Sequence, residues 1–291
     1  MIHERVFVPS SEGTQFPMDV YVPNASREID AEPARPAIVI CPGGGYHFCS
    51  EREAEPIALR FLSEGFNAFV IWYRVSNQSN PDKHPHEASN WYNASPDMHF
   101  PQPQQDAAAA IAYVRSHAKQ YCTDPNRIAV AGFSAGGHLA ASISGLWSHA
   151  ELWADMGLTP ENVKPNAAVL SYPVIVADKD AHRGSFNNLS NRPGDLEAHQ
   201  AFDVLNWVDE KYPPTFLWHT FTDGAVPVQN SLRLAHALAD CGVLCELHVF
   251  PYGQHGLALS NALTTNPASS MIAPPECAQW PEMAARFLKS L

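Results

Sequence analysis

The sequence predicts an α/β fold: a mostly parallel central sheet of about eight strands, flanked by helices. Three observations carry that prediction. Short, continuous apolar runs recur along the chain, of the kind found in strands covered on both faces. Stretches with apolar residues at helical spacing alternate with them, the order expected of a parallel sheet. Third, Gly132-Phe133-Ser134-Ala135-Gly136-Gly137-His138 sets a tight, glycine-bounded turn between such a strand and such a helix. At 291 residues the chain fits one large domain, 1–291, with loop insertions near 76–105 and 177–212.

Residues 6–8 and 18–22 read as two strands joined by the turn Ser10-Ser11-Glu12-Gly13, an antiparallel hairpin. The run 36–41 reads as a fully buried strand and ends in Pro42-Gly43-Gly44-Gly45-Tyr46. A helix follows, with Pro56 in its first turn and Ile57, Phe61 and Leu62 on one side; Gly65 stops it. Residues 66–73 form the next strand. Residues 76–105 are polar and rich in Pro, Asn and His, far longer than an ordinary connection. They read either as a lid whose Trp91 and Tyr92 stack on a sugar or aryl ring, or as a surface excursion whose aromatics cover nearby core.

Residues 106–115 form a strong helix with Asp106 at its start, complementing the helix dipole. Asp124-Pro125-Asn126 reads as a turn before the strand that feeds Ser134. Further strands are expected at 166–172, 214–220 and 245–250, a helix between the last two, and a closing helix at 280–291. Residues 177–212 read as an irregular cap or rim.

Composition narrows the function. Hydrophobic content of 45% with 16% charged residues suits a compact globular enzyme, and a net charge of −12 repels nucleic acid and anionic membranes. Cys41, Cys49, Cys122, Cys241, Cys245 and Cys277 lack zinc-finger spacing and read as reduced thiols. The first residues carry no apolar leader core, and no run has transmembrane length, so a cytoplasmic protein is expected. His84 and His86 have no carboxylate or cysteine set beside them, so no metal site is expected.

A serine hydroxyl is a weak nucleophile near neutral pH, and needs a base that is itself oriented by a carboxylate. In a parallel sheet the loops after the strands gather on one edge, so the partners of Ser134 should follow later strands. Asp223 does, in a sharp Asp-Gly turn that Val226-Pro227 anchors; Asp178 and Asp180 are the alternatives. Among fourteen histidines only His255 sits in a glycine-flanked loop after the last strand. His138 lies in the serine helix, and His219 and His248 lie in strands. The three glycines at 43–45 leave bare N–H groups able to hold an oxyanion.

These segments together resemble an α/β-hydrolase esterase over nearly the whole chain. Pro42-Gly43-Gly44-Gly45-Tyr46 resembles the oxyanion turn of that superfamily, with proline in place of histidine; 132–138 resembles its serine elbow, and Gly253-Gln254-His255-Gly256 its histidine loop. Within it the chain is most similar to the acetylxylan-esterase-like and bifunctional feruloyl/acetyl esterase group, which shares the Pro-Gly-Gly-Gly-Tyr turn and the following Arg52-Glu53-Ala54-Glu55. The resemblance implies a Ser134, Asp223, His255 triad, an oxyanion hole of the Gly44, Gly45 and Ala135 N–H groups, and no cofactor. Tyr46, Trp91, Tyr92 and His138 are the candidate substrate contacts. The implied substrate is a short acyl ester, acetyl on xylo-oligosaccharides first. A feruloyl ester is the near alternative; a peptidase and a non-catalytic carbohydrate-binding homologue are the others.

Overall fold

The computed structural model describes residues 1–76, 95–266, 268 and 271–291. β1 (Ile2–Pro9) and β2 (Gln15–Val22) form the expected antiparallel hairpin. Then come β3 (Arg35–Cys41), α1 (Glu55–Ser63), β4 (Asn67–Ile71), α2 (Gln102–Ser116), β5 (Thr123–Phe133) and α3 (Ala135–Leu146). The short α4 (Pro160–Val163) leads to β6 (Ala167–Ser171), and α5 (Arg183–Ser190) and α6 (Leu196–Gln200) to β7 (Thr215–Thr220). α7 (Gln229–Asp240), β8 (Cys245–Phe250) and α8 (Trp280–Ser290) complete the order.

The described strands form one sheet in the order β1-β2-β4-β3-β5-β6-β7-β8. Only the β1–β2 and β2–β4 pairings are antiparallel; β4 to β8 run the same way. β4, β6 and β7 are buried at every position, as their unbroken apolar runs require, whereas β8 is a half-buried edge strand. Trp280 ties the closing helix to the core: it stacks on Trp218 at 5.4 Å and meets Phe61 and Phe133. No helix among the described residues is long and apolar enough to cross a membrane.

Three local expectations change. Asp106 does not cap a dipole. α2 begins four residues earlier, at Gln102, and Asp106 is fully buried against Arg74, whose Nη2 donates to it at 2.9 Å and whose backbone N–H donates at 2.8 Å. Because Arg74 precedes and Asp106 follows the 76–105 insertion, this pair closes its base. Asp124-Pro125-Asn126 falls inside β5, where pairing jumps from Arg35–Thr123 to Ala37–Ile128 and the proline-bearing segment bulges from the ladder. Residues 177–212 are more regular than their composition indicates. Their polar residues serve as helix caps: the side chains of His182 and Asp195 accept from the backbone N–H groups of Ser185 and Ala198.

Candidate active site

Ser134 stands at the carboxyl edge of the sheet, between β5 and α3, with φ 54° and ψ −117°. A β-carbon is rarely tolerated there, and the strain is held by neighbours that leave no alternative. The Ser134 N–H donates to Ser171 O at 3.1 Å, and its carbonyl accepts from Val174 N–H at 3.0 Å. Gly132 and Gly136 let the crossing happen: a Cβ on Gly132 would strike the Gly136 carbonyl, and one on Gly136 would strike the Cys41 and Pro42 carbonyls.

The loops after β7 and β8 bring Asp223 and His255 to the same edge. The Ser134 hydroxyl donates to His255 Nε2 at 2.7 Å, and His255 Nδ1–H donates to Asp223 Oδ2 at 2.7 Å. The other carboxylate oxygen accepts the N–H groups of Ala225 and Val226, each at 2.9 Å. Burial pushes the Asp223 carboxyl up, but the hydrogen bonds from His219 and His255 and the Val226 N–H outweigh it and hold it well below the usual carboxylate range. Asp178 and Asp180, the alternative acids, are elsewhere: Asp178 pairs with Arg233 at 2.7 Å and Asp180 with Lys179 at 3.1 Å.

Beside Ser134 lies the 42–46 turn. Gly44 has φ 126°, and a Cβ on it would strike the Phe48 carbonyl, so only glycine fits. The N–H groups of Gly44, Gly45 and Ala135 donate to no atom among the described residues, whereas that of Gly43 donates to Glu53 Oε2 at 2.8 Å. Asn188 Nδ2 on α5 donates to Gly45 O at 2.8 Å, which packs the 177–212 rim against this turn.

Two of the expected substrate contacts are corrected. Tyr46 and His138 have no exposed side-chain surface, so neither touches a ligand in the cleft. The Tyr46 hydroxyl donates to His138 Nδ1 at 2.8 Å, and His138 Nε2–H donates to Phe202 O at 2.8 Å. The pair therefore bolts the glycine turn to the serine helix and the rim. Trp91 and Tyr92, like His84 and His86, lie outside the described residues. Three residues near the centre were assigned no role from sequence: Glu53, His182 and His219. His219 Nε2 lies 3.4 Å from Asp223 Oδ2. Ser185 donates both its N–H and hydroxyl to His182 Nδ1, at 3.3 and 2.8 Å, which leaves the proton on Nε2. Burial and the nearby His255 lower the His182 pKa against the pull of Asp223, so the ring is neutral at pH 7.

Comparison with known proteins shows the family. Residues 86–238, more than half of the chain, match the BD-FAE family. Over 231 residues the chain is 31% identical to endo-1,4-beta-xylanase B of Butyrivibrio fibrisolvens, covering 78% of this chain and 33% of that protein. It is 30% identical over 234 residues to acetylxylan esterase of Xylanibacter ruminicola, covering 78% of this chain and 42% of that protein. The chain thus spans well under half the length of either relative. Among solved structures, the acetyl ester-xyloside bifunctional hydrolase from Caldicellulosiruptor lactoaceticus superposes with a TM-score of 0.76 at 33% identity, over 98% of this chain and 96% of that one.

Proposed function

The chain belongs to the BD-FAE family and has the α/β-hydrolase fold, and from that premise we propose that it is a serine carboxylesterase that removes acetyl groups from xylo-oligosaccharides. The observation that carries the reading is the unbroken hydrogen-bonded line from the Ser134 hydroxyl through His255 to Asp223. His255 takes the Ser134 proton as the oxygen attacks the ester carbonyl, and Asp223 steadies the resulting imidazolium. The tetrahedral oxyanion is received by the N–H groups of Gly44, Gly45 and Ala135, which have no competing protein acceptor. His255 then returns the proton to the departing alcohol, and water attacks the acyl-serine by the same route in reverse. The substrate is a small ester or an oligosaccharide ester.

The names of the relatives support acetyl esters of xylan-derived sugars as the substrate class: one is an acetylxylan esterase, and the structural neighbour is an acetyl ester-xyloside hydrolase. The proposed setting is the cytoplasm, where such oligosaccharides arrive already cut.

An ester panel tests both parts. Ser134→Ala lowers kcat on p-nitrophenyl acetate by about 10⁶-fold if the triad acts as a unit. Acetylated xylo-oligosaccharide is turned over with a higher kcat/KM than methyl ferulate. Wild-type activity in Ser134→Ala overturns the mechanism, and preference for methyl ferulate overturns the substrate class in favour of an aryl esterase.

A further inference from the structure

We infer that Arg52 and Glu53 act as one positioning pair that sets three active-site loops against each other, so that turnover rather than ester binding depends on them. The inference rests on the serine-esterase reading above. Both residues sit in a single 3-10 turn, Glu51–Glu53, just before α1. Glu53 is only 4% exposed, an unusual place for a carboxylate without a cationic partner. Its two oxygens face two donors. Oε2 accepts the Gly43 N–H at 2.8 Å, immediately before the two proposed oxyanion donors of the same turn. Oε1 accepts the Tyr172 hydroxyl at 2.7 Å.

Tyr172 carries the connection onward. Its oxygen accepts the Ala258 N–H at 2.9 Å, three residues beyond His255. Its ring stands edge-on to the His255 imidazole, with centroids 5.1 Å apart and planes at 71°. It follows β6 with φ 38°, so the backbone there is bent to deliver this side chain. Arg52 meanwhile holds the histidine loop directly. Nη2 donates to the Gly256 carbonyl at 2.6 Å, next to His255, and Nε donates to Thr264 O at 2.6 Å. Two adjacent residues thereby fix the glycine turn, the end of β6 and the loop that carries the base.

The chemistry of the pair suits positioning. A carboxylate accepts at both ends, so it can anchor two donors at a fixed separation; an amide opposes one of them, and an apolar side chain leaves both unpaired. Neither group hydrogen-bonds to the Ser134 hydroxyl, which is bonded to His255. What they control is where the oxyanion donors and the imidazole stand relative to that hydroxyl. A displacement of about 1 Å in such an array costs roughly 100-fold in rate, and loss of one oxyanion donor about 10²–10³.

The test uses the full chain and counts competent sites by titration with a serine-directed fluorophosphonate, so that kcat on p-nitrophenyl acetate is expressed per reactive Ser134. Glu53→Gln, close in shape, lowers kcat about 10- to 100-fold while KM stays within about twofold. Tyr172→Phe, which removes only the bridging hydroxyl, lowers kcat in the same direction. Arg52→Gln, which frees the loop bearing His255, lowers kcat as well, again with KM within about twofold. The Arg52→Gln, Glu53→Gln double variant loses less than the product of the single losses. If kcat per titrated site in all three single variants is within about twofold of wild type, even with a lower melting temperature, the pair is merely structural and the inference is overturned. Failure of the wild type both to hydrolyse p-nitrophenyl acetate and to take the fluorophosphonate at Ser134 is a different result: it overturns the esterase reading itself, and this role with it.

Discussion

His219 has no exposed surface, and its Nε2 lies 3.4 Å from Oδ2 of Asp223, the oxygen that also accepts from His255. The Ser231 hydroxyl donates to His219 Nδ1 at 2.8 Å, so the proton sits on Nε2, where it is shared between Asp223 and the Val226 carbonyl at 3.0 Å. The carboxylate proposed to orient the base is thus itself oriented by a second histidine. A hydrogen bond to a charged group is worth about 1.5–3 kcal/mol, so His219→Leu lowers kcat about 10- to 100-fold. The sign for stability follows from the depressed Asp223 carboxyl. Its contribution is full above the ordinary value of 3.8 and is lost as pH falls through the lower folded value. His219→Leu reduces the depression, so acid unfolding followed by circular dichroism begins at higher pH.

His138 predicts a second pH effect. Burial lowers its pKa from 6.5 to about 4, against the raising effect of the Phe202 carbonyl. Between these values the unfolded chain takes up a proton that the folded chain refuses. Stability therefore declines as pH falls from 6.5 toward 4, by about 3 kcal/mol in total, and this residue adds no further loss below that. Urea midpoints for wild type and His138→Gln, compared at neutral and acid pH, should show a shallower decline in the variant.

The Arg74–Asp106 pair predicts a large structural cost with a specific rescue. Both side chains are almost wholly buried, and Asp106 also accepts the Ser10 hydroxyl at 2.5 Å. Asp106→Asn leaves the buried guanidinium only the exposed Glu12 carboxylate, 3.6 Å from Nη1, and costs about 3–5 kcal/mol. The double change Arg74→Met, Asp106→Leu recovers most of that in a denaturant titration, because the desolvation penalty leaves with the charges.

Neighbouring glycines in the 42–46 turn should behave differently. Gly44→Ala forces a methyl into the Phe48 carbonyl, so the turn must deform and kcat falls by about 100-fold or more. Gly45 has φ 68°, and the nearest atom to an added Cβ is Ser185 Oγ at 4.0 Å. Gly45→Ala meets only the left-handed penalty of about 1–2 kcal/mol, visible in the melting temperature, and keeps kcat within about tenfold. Equal kinetic losses in the two variants would contradict this assignment of the turn.

The parallel sheet was legible because its strands are continuous apolar runs, and so were the three residues that meet at its edge, because each follows such a run. Ser134, Asp223 and His255 are read from local patterns: a glycine-bounded turn, an Asp-Gly turn and a glycine-flanked histidine. Glu53 and His219 were not legible. Glu53 finds its partners 10 and 119 residues away, and nothing near it in sequence marks an acid that will be buried. His219 lies in a strand, where one residue's face cannot be told until the sheet's neighbours are known. Tyr46 and His138 were misread for a related reason. Proximity to a motif in sequence says nothing about exposure, and both point inward. Asp106 shows the limit for helices: a shift of about one turn in boundary is small, yet here four residues turn a surface dipole partner into a buried ion.

The backbone of Ser134 carries one more consequence. A residue with a β-carbon held at φ 54° and ψ −117° costs on the order of 1–3 kcal/mol, which glycine would not incur. Ser134→Gly should therefore melt at a higher temperature than the wild type while hydrolysing nothing. The proposed nucleophile is a thermodynamic liability at its own position, and screening this scaffold for heat resistance alone would favour sequences that have discarded it.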